Sequence, residues 1–153
     1  TLSSFSSPQI VELIGYSEQS PFFIVTELLE SSLYKKLREN QLTPTERTII
    51  AIDVAWGLSY LHERNVIHRD LKPSNIIYDK YADKVTLIDF GTSKIKTVMD
   101  SETTMPLYSE GYSAPELILG KNITEKCDYY SIGIIMSEIL LSQKNEDDIT
   151  SNI

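Results

Sequence analysis

Val66-Ile67-His68-Arg69-Asp70-Leu71-Lys72-Pro73-Ser74-Asn75 is the stretch on which the reading of this chain turns. His68 alone would read as a hydrogen-bonded structural imidazole. The set His-Arg-Asp-x-Lys-x-x-Asn, however, fixes five positions at once. Equal-frequency counting puts its chance occurrence in such a chain at roughly 1 in 20,000. Nineteen residues beyond Asp70 comes Asp89-Phe90-Gly91, directly after an apolar run, and Ala114-Pro115-Glu116 follows a long polar loop. Each triplet is weak alone; their order and spacing around the first motif carry the signal.

Outward from this stretch the chain reads as alternating short strands and two long helices. Ile10–Gly15 and Phe22–Thr26 are strand-like and separated by the polar turn Tyr16–Pro21, which predicts a hairpin. A short helix is expected over Leu33–Glu39. Thr43-Pro44-Thr45-Glu46 supplies a capping Thr, a Pro at the first helical position and a Glu at the third, so a helix opens there and runs to about His62. Its apolar residues spread round most of the circumference, which predicts burial on several sides, with Trp56 in the core. Val66–Ile67, Ile76–Tyr78 and Val85–Ile88 are short β-type runs. Gly91–Ser113 is polar and rich in Ser and Thr, and a second apolar helix is expected over about Lys126–Leu141. Residues 142–153 read as an acidic polar tail.

Composition narrows the function classes. Of 153 residues 41% are apolar and 24% charged, ordinary for a globular chain. The formal net charge of −8 argues against nucleic-acid binding, which needs a basic field. The single cysteine, Cys127, forms no internal disulfide and points to a reducing, cytoplasmic location. No segment is apolar for long enough to span a membrane. The chain opens on Thr1 and its first Met is Met99, so it is expected to be a portion of something longer.

Taken together, the three motifs resemble the catalytic half of a eukaryotic-type protein kinase, over roughly residues 10–141. Lys72, two residues after Asp70, is similar to the serine/threonine type, and the hairpin with Thr26 to its tyrosine-kinase-like branch. The resemblance implies an α+β fold of two lobes. Here it covers the hinge-side strands of the first lobe and the mainly helical first part of the second. It also implies ATP and Mg²⁺ as cofactors and a protein substrate bearing Ser or Thr. Asp70 would orient the substrate hydroxyl, Lys72 would lie beside the γ-phosphate, and Asn75 and Asp89 would hold Mg²⁺ through hard oxygen ligands. Gly91 would give backbone freedom beside Asp89. Phe90 and His68 would pack together, with Leu13 as the strand member of that stack. Thr26 would stand at the gatekeeper position, the Glu27 carbonyl and Leu29 backbone would meet the adenine edge, and Ile77 would form part of the apolar floor. Arg69, joined by Lys94, would clamp a phosphate on the polar loop, with Thr103 or Thr104 the preferred acceptor over Thr97 and Ser101. Asp128 would brace the catalytic loop through backbone hydrogen bonds.

The sequence also departs from the family pattern. Nothing here resembles the Gly-rich phosphate loop, no Lys precedes Lys35, and the Arg that would pair with Glu116 is missing. Tyr108-Ser109 stands where the family usually has Gly-Thr; Ser109 keeps a hydroxyl able to bridge Asp70 and Lys72. The expectation is therefore a kinase domain whose isolated fragment turns over little. The alternative is a pseudokinase scaffold, although a scaffold has no physical need for Asp70, Lys72, Asn75 and Asp89 together.

Overall fold

The computed structural model describes residues 6–39, 42–95 and 108–141. Strands β1 (Leu13–Ser17) and β2 (Phe23–Thr26) form an antiparallel hairpin. Strand β3 (Ser31–Ser32) leads into helix α1 (Leu33–Arg38), and α2 (Pro44–Glu63) follows. Then come β4 (Val66–Ile67), a 3-10 turn over Pro73–Asn75, β5 (Ile76–Asp79), β6 (Lys84–Leu87) and β7 (Lys94–Ile95). Helices α3 (Pro115–Ile118) and α4 (Lys126–Leu141) complete the described chain. The small sheets are ordered β3-β5-β6 and β4-β7, all antiparallel. This is the expected α+β architecture.

Helix α2 starts where its capping signal predicts. The Thr43 side chain accepts from the Glu46 backbone N–H at 3.2 Å, and the Glu46 carboxylate accepts from the Thr43 N–H at 2.7 Å. Burial alone would raise the Glu46 pKa, but the bonds its carboxylate accepts from the Thr43 N–H and hydroxyl, aided by Lys80 and Lys36, hold the carboxyl below its ordinary value. The helix buries one stripe, Ile50, Val54, Leu58 and Leu61, against the main core with Leu33, Ile76, Tyr78, Val85, Leu87, Ile135 and Ile139. Each such aliphatic side chain contributes about 1.5–3 kcal/mol by leaving water. Gly57 sets the approach of α2 to β6: a Cβ there would lie 2.9 Å from Leu87 Cδ1. Asp53 adds a polar tie, accepting from the Val85 N–H at 3.2 Å. Arg47, buried, donates to the Leu42 and Ile139 carbonyls and so fastens the start of α2 to the last turns of α4.

Three expectations are corrected. Helix α2 is buried along one stripe rather than on several sides, and Trp56 is 66% exposed with Ile52, one turn away, at 52%. Hydrophobicity all round a helix does not say which neighbours exist to cover it. The first strand is shifted: Ile10 and Val11 are buried, but Ile10 bridges Leu87 and the Val11 N–H donates to the Leu87 carbonyl, so the hairpin proper begins at Leu13. Within the stretch read as polar loop, Lys94–Ile95 pairs with Val66–Ile67. The tail at 142–153 and the loop acceptors Thr97, Ser101, Thr103 and Thr104 lie outside the described residues.

Candidate active site

Strand β4 delivers the chain into a loop whose backbone is held rather than paired. Asp128, on the first turn of α4, is fully buried. Its Oδ2 accepts from the His68 N–H and its Oδ1 from the Arg69 N–H, both at 2.9 Å. Arg69 adopts φ +68°, in the left-handed region that side chains with a Cβ rarely occupy. Such a conformation costs about 1–3 kcal/mol and persists only when the surroundings dictate it. Here the Asp128 contacts and a bond from Arg69 Nε to the Thr92 carbonyl do so. Burial lowers the Arg69 pKa, opposed by Cys127 and Asp128.

His68 sits in the interior with no exposed surface. Its Nε2 donates to the Ile88 carbonyl at 3.0 Å, and its Nδ1 faces the Asp70 N–H at 3.4 Å. A carbonyl only accepts and an amide N–H only donates, so this geometry selects the neutral ring with the proton on Nε2. Burial pushes its pKa down accordingly, against the pull of Asp128, Asp70 and Asp89. The ring packs on Phe90 with centroids 5.1 Å apart and planes tilted by 51°. The His68 carbonyl accepts from the Thr92 and Ser93 hydroxyls, tying the loop to the segment after Gly91.

Asp70 emerges from this frame with three partners. Lys72 Nζ lies 2.8 Å from its Oδ2, the Ser109 hydroxyl donates to its Oδ1 at 2.6 Å, and Asn75 Nδ2 donates to its Oδ2 at 3.1 Å and to its backbone carbonyl at 2.8 Å. Lys72 Nζ also donates to Ser109 Oγ at 2.9 Å. The bridging expected of Ser109 is therefore present in the geometry. Because the Asn75 amide nitrogen faces two acceptors, its oxygen is the end left for other ligands. The Asn75 carbonyl accepts from the Ile88 N–H at 3.0 Å, which brings Asn75 alongside the residue that precedes Asp89.

Asp89 itself takes the left-handed conformation, at φ +63°, and its Oδ1 accepts from the Gly91 N–H at 3.3 Å. This corrects the role expected of Gly91. The unusual backbone falls on Asp89, and what Gly91 supplies is room, since a Cβ there would lie 3.2 Å from Asp89 Oδ1.

The other predicted residues are placed as follows. Thr26 ends β2, and its hydroxyl donates to the Glu27 carbonyl at 3.3 Å. The Glu27 carboxylate accepts from the Glu12 N–H at 3.0 Å and pairs with Lys84 at 3.7 Å. Leu29 is half-buried, and Ile77 is buried in β5 opposite Thr86. The Lys94 backbone pairs with Ile67, and Glu116 lies in α3, its carbonyl accepting from the Lys121 N–H at 3.0 Å. Thr103 and Thr104 lie outside the described residues. Cys127 is buried, with its thiol pushed up to about 12 by burial and then by Asp128 and Glu116, so it stays protonated. Sequence reasoning missed His62 and Tyr129. His62 Nε2 lies 2.8 Å from Asp128 Oδ2 and its Nδ1 lies 3.2 Å from the Tyr129 hydroxyl. Neither side chain was given a role from the sequence, and only the fold joins the end of α2 to the start of α4.

Comparison with known proteins agrees with this geometry. The sequence matches the family described as protein kinase domain over residues 1–151. It is 34% identical over 144 residues to the probable serine/threonine-protein kinase kinX of Dictyostelium discoideum, covering 92% of this chain and 13% of that protein. It is 38% identical over 146 residues to serine/threonine-protein kinase 12 of Arabidopsis thaliana, covering 91% of this chain and 32% of that one. It is also 38% identical to a probable LRR receptor-like serine/threonine-protein kinase, RPK1, of Arabidopsis thaliana, with 92% and 27% covered. The chain thus spans about a third or less of the length of these relatives. Among solved structures, a chain of the yeast RNA Pol II CTD kinase CTDK-1 complex superposes with a TM-score of 0.78 at 26% identity, over 93% of this chain and 48% of that one. No helix among the described residues is long and apolar enough to cross a membrane. On the matched residues, the shared fold and the loop around Asp70, the chain belongs to the protein kinase domain family.

Proposed function

We propose that the protein carrying this chain transfers the γ-phosphoryl group of ATP to serine and threonine hydroxyls of protein substrates. The observation that supports this most is the Asp70 carboxylate, held by Lys72 and Asn75 with a hydroxyl, that of Ser109, already donating to its Oδ1 at 2.6 Å. A substrate hydroxyl oriented in the same way would point its proton at Asp70 and its lone pair at the phosphorus. Lys72 holds a compact cation beside that oxygen, where negative charge gathers during transfer.

Among the described residues no three His, Cys, Asp or Glu side chains cluster as a metal cage. Mg²⁺ needs none, because it takes one or two carboxylates together with substrate phosphates and water. The Asp89 carboxylate and the Asn75 amide oxygen are hard ligands on neighbouring strand ends, so the donor set fits, and these residues would hold the ion. When bound, Mg²⁺ neutralises phosphate oxygens. Glu27 and Leu29 would present backbone groups to the adenine edge, Thr26 would border the base, and Ile77 would lie beneath it. Arg69 and Lys94 would receive a phosphate on Thr103 or Thr104. The domain in this reading runs over 1–141, with 142–153 as a tail. The isolated 153 residues would turn over slowly, because they carry no glycine-rich loop to grip the phosphates. The net charge of −8 and a lone, buried, protonated thiol favour protein partners in a reducing cytoplasm.

The test is incubation of the whole protein with γ-labelled ATP, Mg²⁺ and casein, followed by phosphoamino-acid separation. Label on serine and threonine is expected. No label, or label on tyrosine alone, contradicts the proposal.

A further inference from the structure

We propose that Ser109 is itself a phosphate acceptor: its hydroxyl takes the γ-phosphoryl group of ATP in the protein's own site, and the product closes that site. The proposal rests on the reading of Asp70 as the group that orients a substrate hydroxyl. Such a hydroxyl points its proton at Asp70 and keeps its oxygen beside Lys72. Ser109 meets both conditions before any substrate arrives. Its hydroxyl donates to Asp70 Oδ1 at 2.6 Å and accepts from Lys72 Nζ at 2.9 Å. A hydroxyl oxygen has two lone pairs, so one is left for attack on phosphorus.

A tight turn holds the hydroxyl in this place. The Ser113 hydroxyl oxygen accepts from the Ser109 N–H at 2.9 Å, and the Ser109 carbonyl accepts from the Tyr112 and Ser113 N–H groups at 3.2 and 3.1 Å. Gly111, at φ +86°, supplies the left-handed residue the turn needs. The turn is fastened to α4 in two places: the Ser131 hydroxyl donates to the Tyr112 carbonyl at 2.8 Å, and the Tyr112 hydroxyl donates to Glu138 at 2.7 Å. Ser109 is half-buried, not enclosed. A hydroxyl held in this way has little translational freedom left to lose, so it reacts as part of one molecule where a substrate must first be captured.

The step is an ordinary phosphoryl transfer. Ser109 Oγ attacks the γ-phosphorus, the new Oγ–P bond forms as the bond to the β–γ bridging oxygen breaks, and that electron pair leaves on ADP. The hydroxyl proton passes to Asp70 and from there to water. The product carries a charge of about −1.5 to −2 beside Asp70 Oδ1, where a proton donor stood. Lys72, now 2.8 Å from Asp70 Oδ2, becomes the nearest cation to the phosphate and is shared with it. Asp70 then faces like charge where a substrate hydroxyl would dock. Each molecule that modifies itself stops serving other substrates.

The test is to incubate the whole protein with MgATP, with and without casein, and to locate phosphate by tandem mass spectrometry over time. Phosphate is expected on Ser109, with a first-order rate constant that holds over about a hundredfold range of protein concentration. Saturating casein should slow it, and the rate of casein labelling should fall in step with the fraction of Ser109 modified. An Asp70→Asn variant mixed with a trace of wild type should stay unmodified at Ser109, because each serine is served by its own Asp70. Casein labelled while Ser109 stays bare would overturn the proposal and leave the proposed function standing. A rate that rises with protein concentration, or phosphate on Ser109 of the Asp70→Asn variant, would overturn transfer within one molecule. Casein labelling that continues undiminished once Ser109 is fully modified would overturn closure of the site. If neither casein nor Ser109 is labelled, the proposed function has failed and this inference fails with it.

Discussion

Replacing Asp128 with Asn changes one oxygen for an NH₂ group and leaves the shape alone. The buried carboxylate takes two backbone N–H groups at 2.9 Å and faces His62 Nε2 at 2.8 Å. An Asn can keep its oxygen toward His68 and His62, and its NH₂ then faces the Arg69 N–H, donor against donor. Turned the other way, it loses two contacts instead of one. The milder arrangement forfeits one hydrogen bond to a charged acceptor, worth about 1.5–3 kcal/mol, and strands a buried donor at about 1–3 kcal/mol. The expected loss is therefore about 3 kcal/mol or more. For a domain of this size that is about 6–12 °C in melting temperature. Urea unfolding of the protein should show a lower midpoint at an unchanged slope. A loss below about 1 kcal/mol would refute the claim that Asp128 clamps the loop, since it would mean that water or another group satisfies those amides.

Other expectations follow from the same contacts. The folded-state pKa of His68 is depressed, so the unfolded chain binds the extra proton first. Its contribution to stability is complete above the ordinary value of 6.5 and is lost as pH falls from there toward the folded pKa. Unfolding free energy measured from pH 8 to 5 should decline below about 6.5 and decline less in His68→Asn; equal slopes would contradict the neutral-ring geometry. Thr43→Ala should cost about 1 kcal/mol by removing the cap of α2, measured in urea. Trp56→Ala, in contrast, should lie within about 0.5 kcal/mol, because the side chain is mostly in water.

Legibility divided along physical lines. The loop from His68 to Asn75 was readable because the family pattern puts particular side chains at particular offsets, and the fold brings Lys72 and Asn75 within 2.8–3.1 Å of the Asp70 carboxylate. Ser109 was readable despite the neighbouring departure at Tyr108 because a hydroxyl serves whether Ser or Thr supplies it. Helix α2 was readable from Thr43 and Glu46, whose reciprocal bonds are local. What failed was nonlocal. Ile10 and Val11 look like a hairpin strand, but their partner Leu87 lies far along the chain. Lys94–Ile95 forms a strand only because β4 offers an edge. Trp56 is apolar and still exposed, since burial depends on what lies opposite. Gly91 suggested φ freedom, whereas the backbone spends its unusual conformation on Asp89 and uses Gly91 for space. His62 gave no signal, because its contact with Asp128 exists only where α2 and α4 meet.

The most direct measurement of the central claim is kcat for phosphoryl transfer at saturating MgATP and peptide, in the whole protein and its Asp70→Asn variant. Asn preserves the size of the group among Lys72, Asn75 and Ser109 while removing the carboxylate proposed to accept the hydroxyl proton. A fall of about 10²–10⁴-fold with unfolding behaviour unchanged is expected if Asp70 orients the hydroxyl. A variant that retained transfer within about threefold of wild type would contradict it.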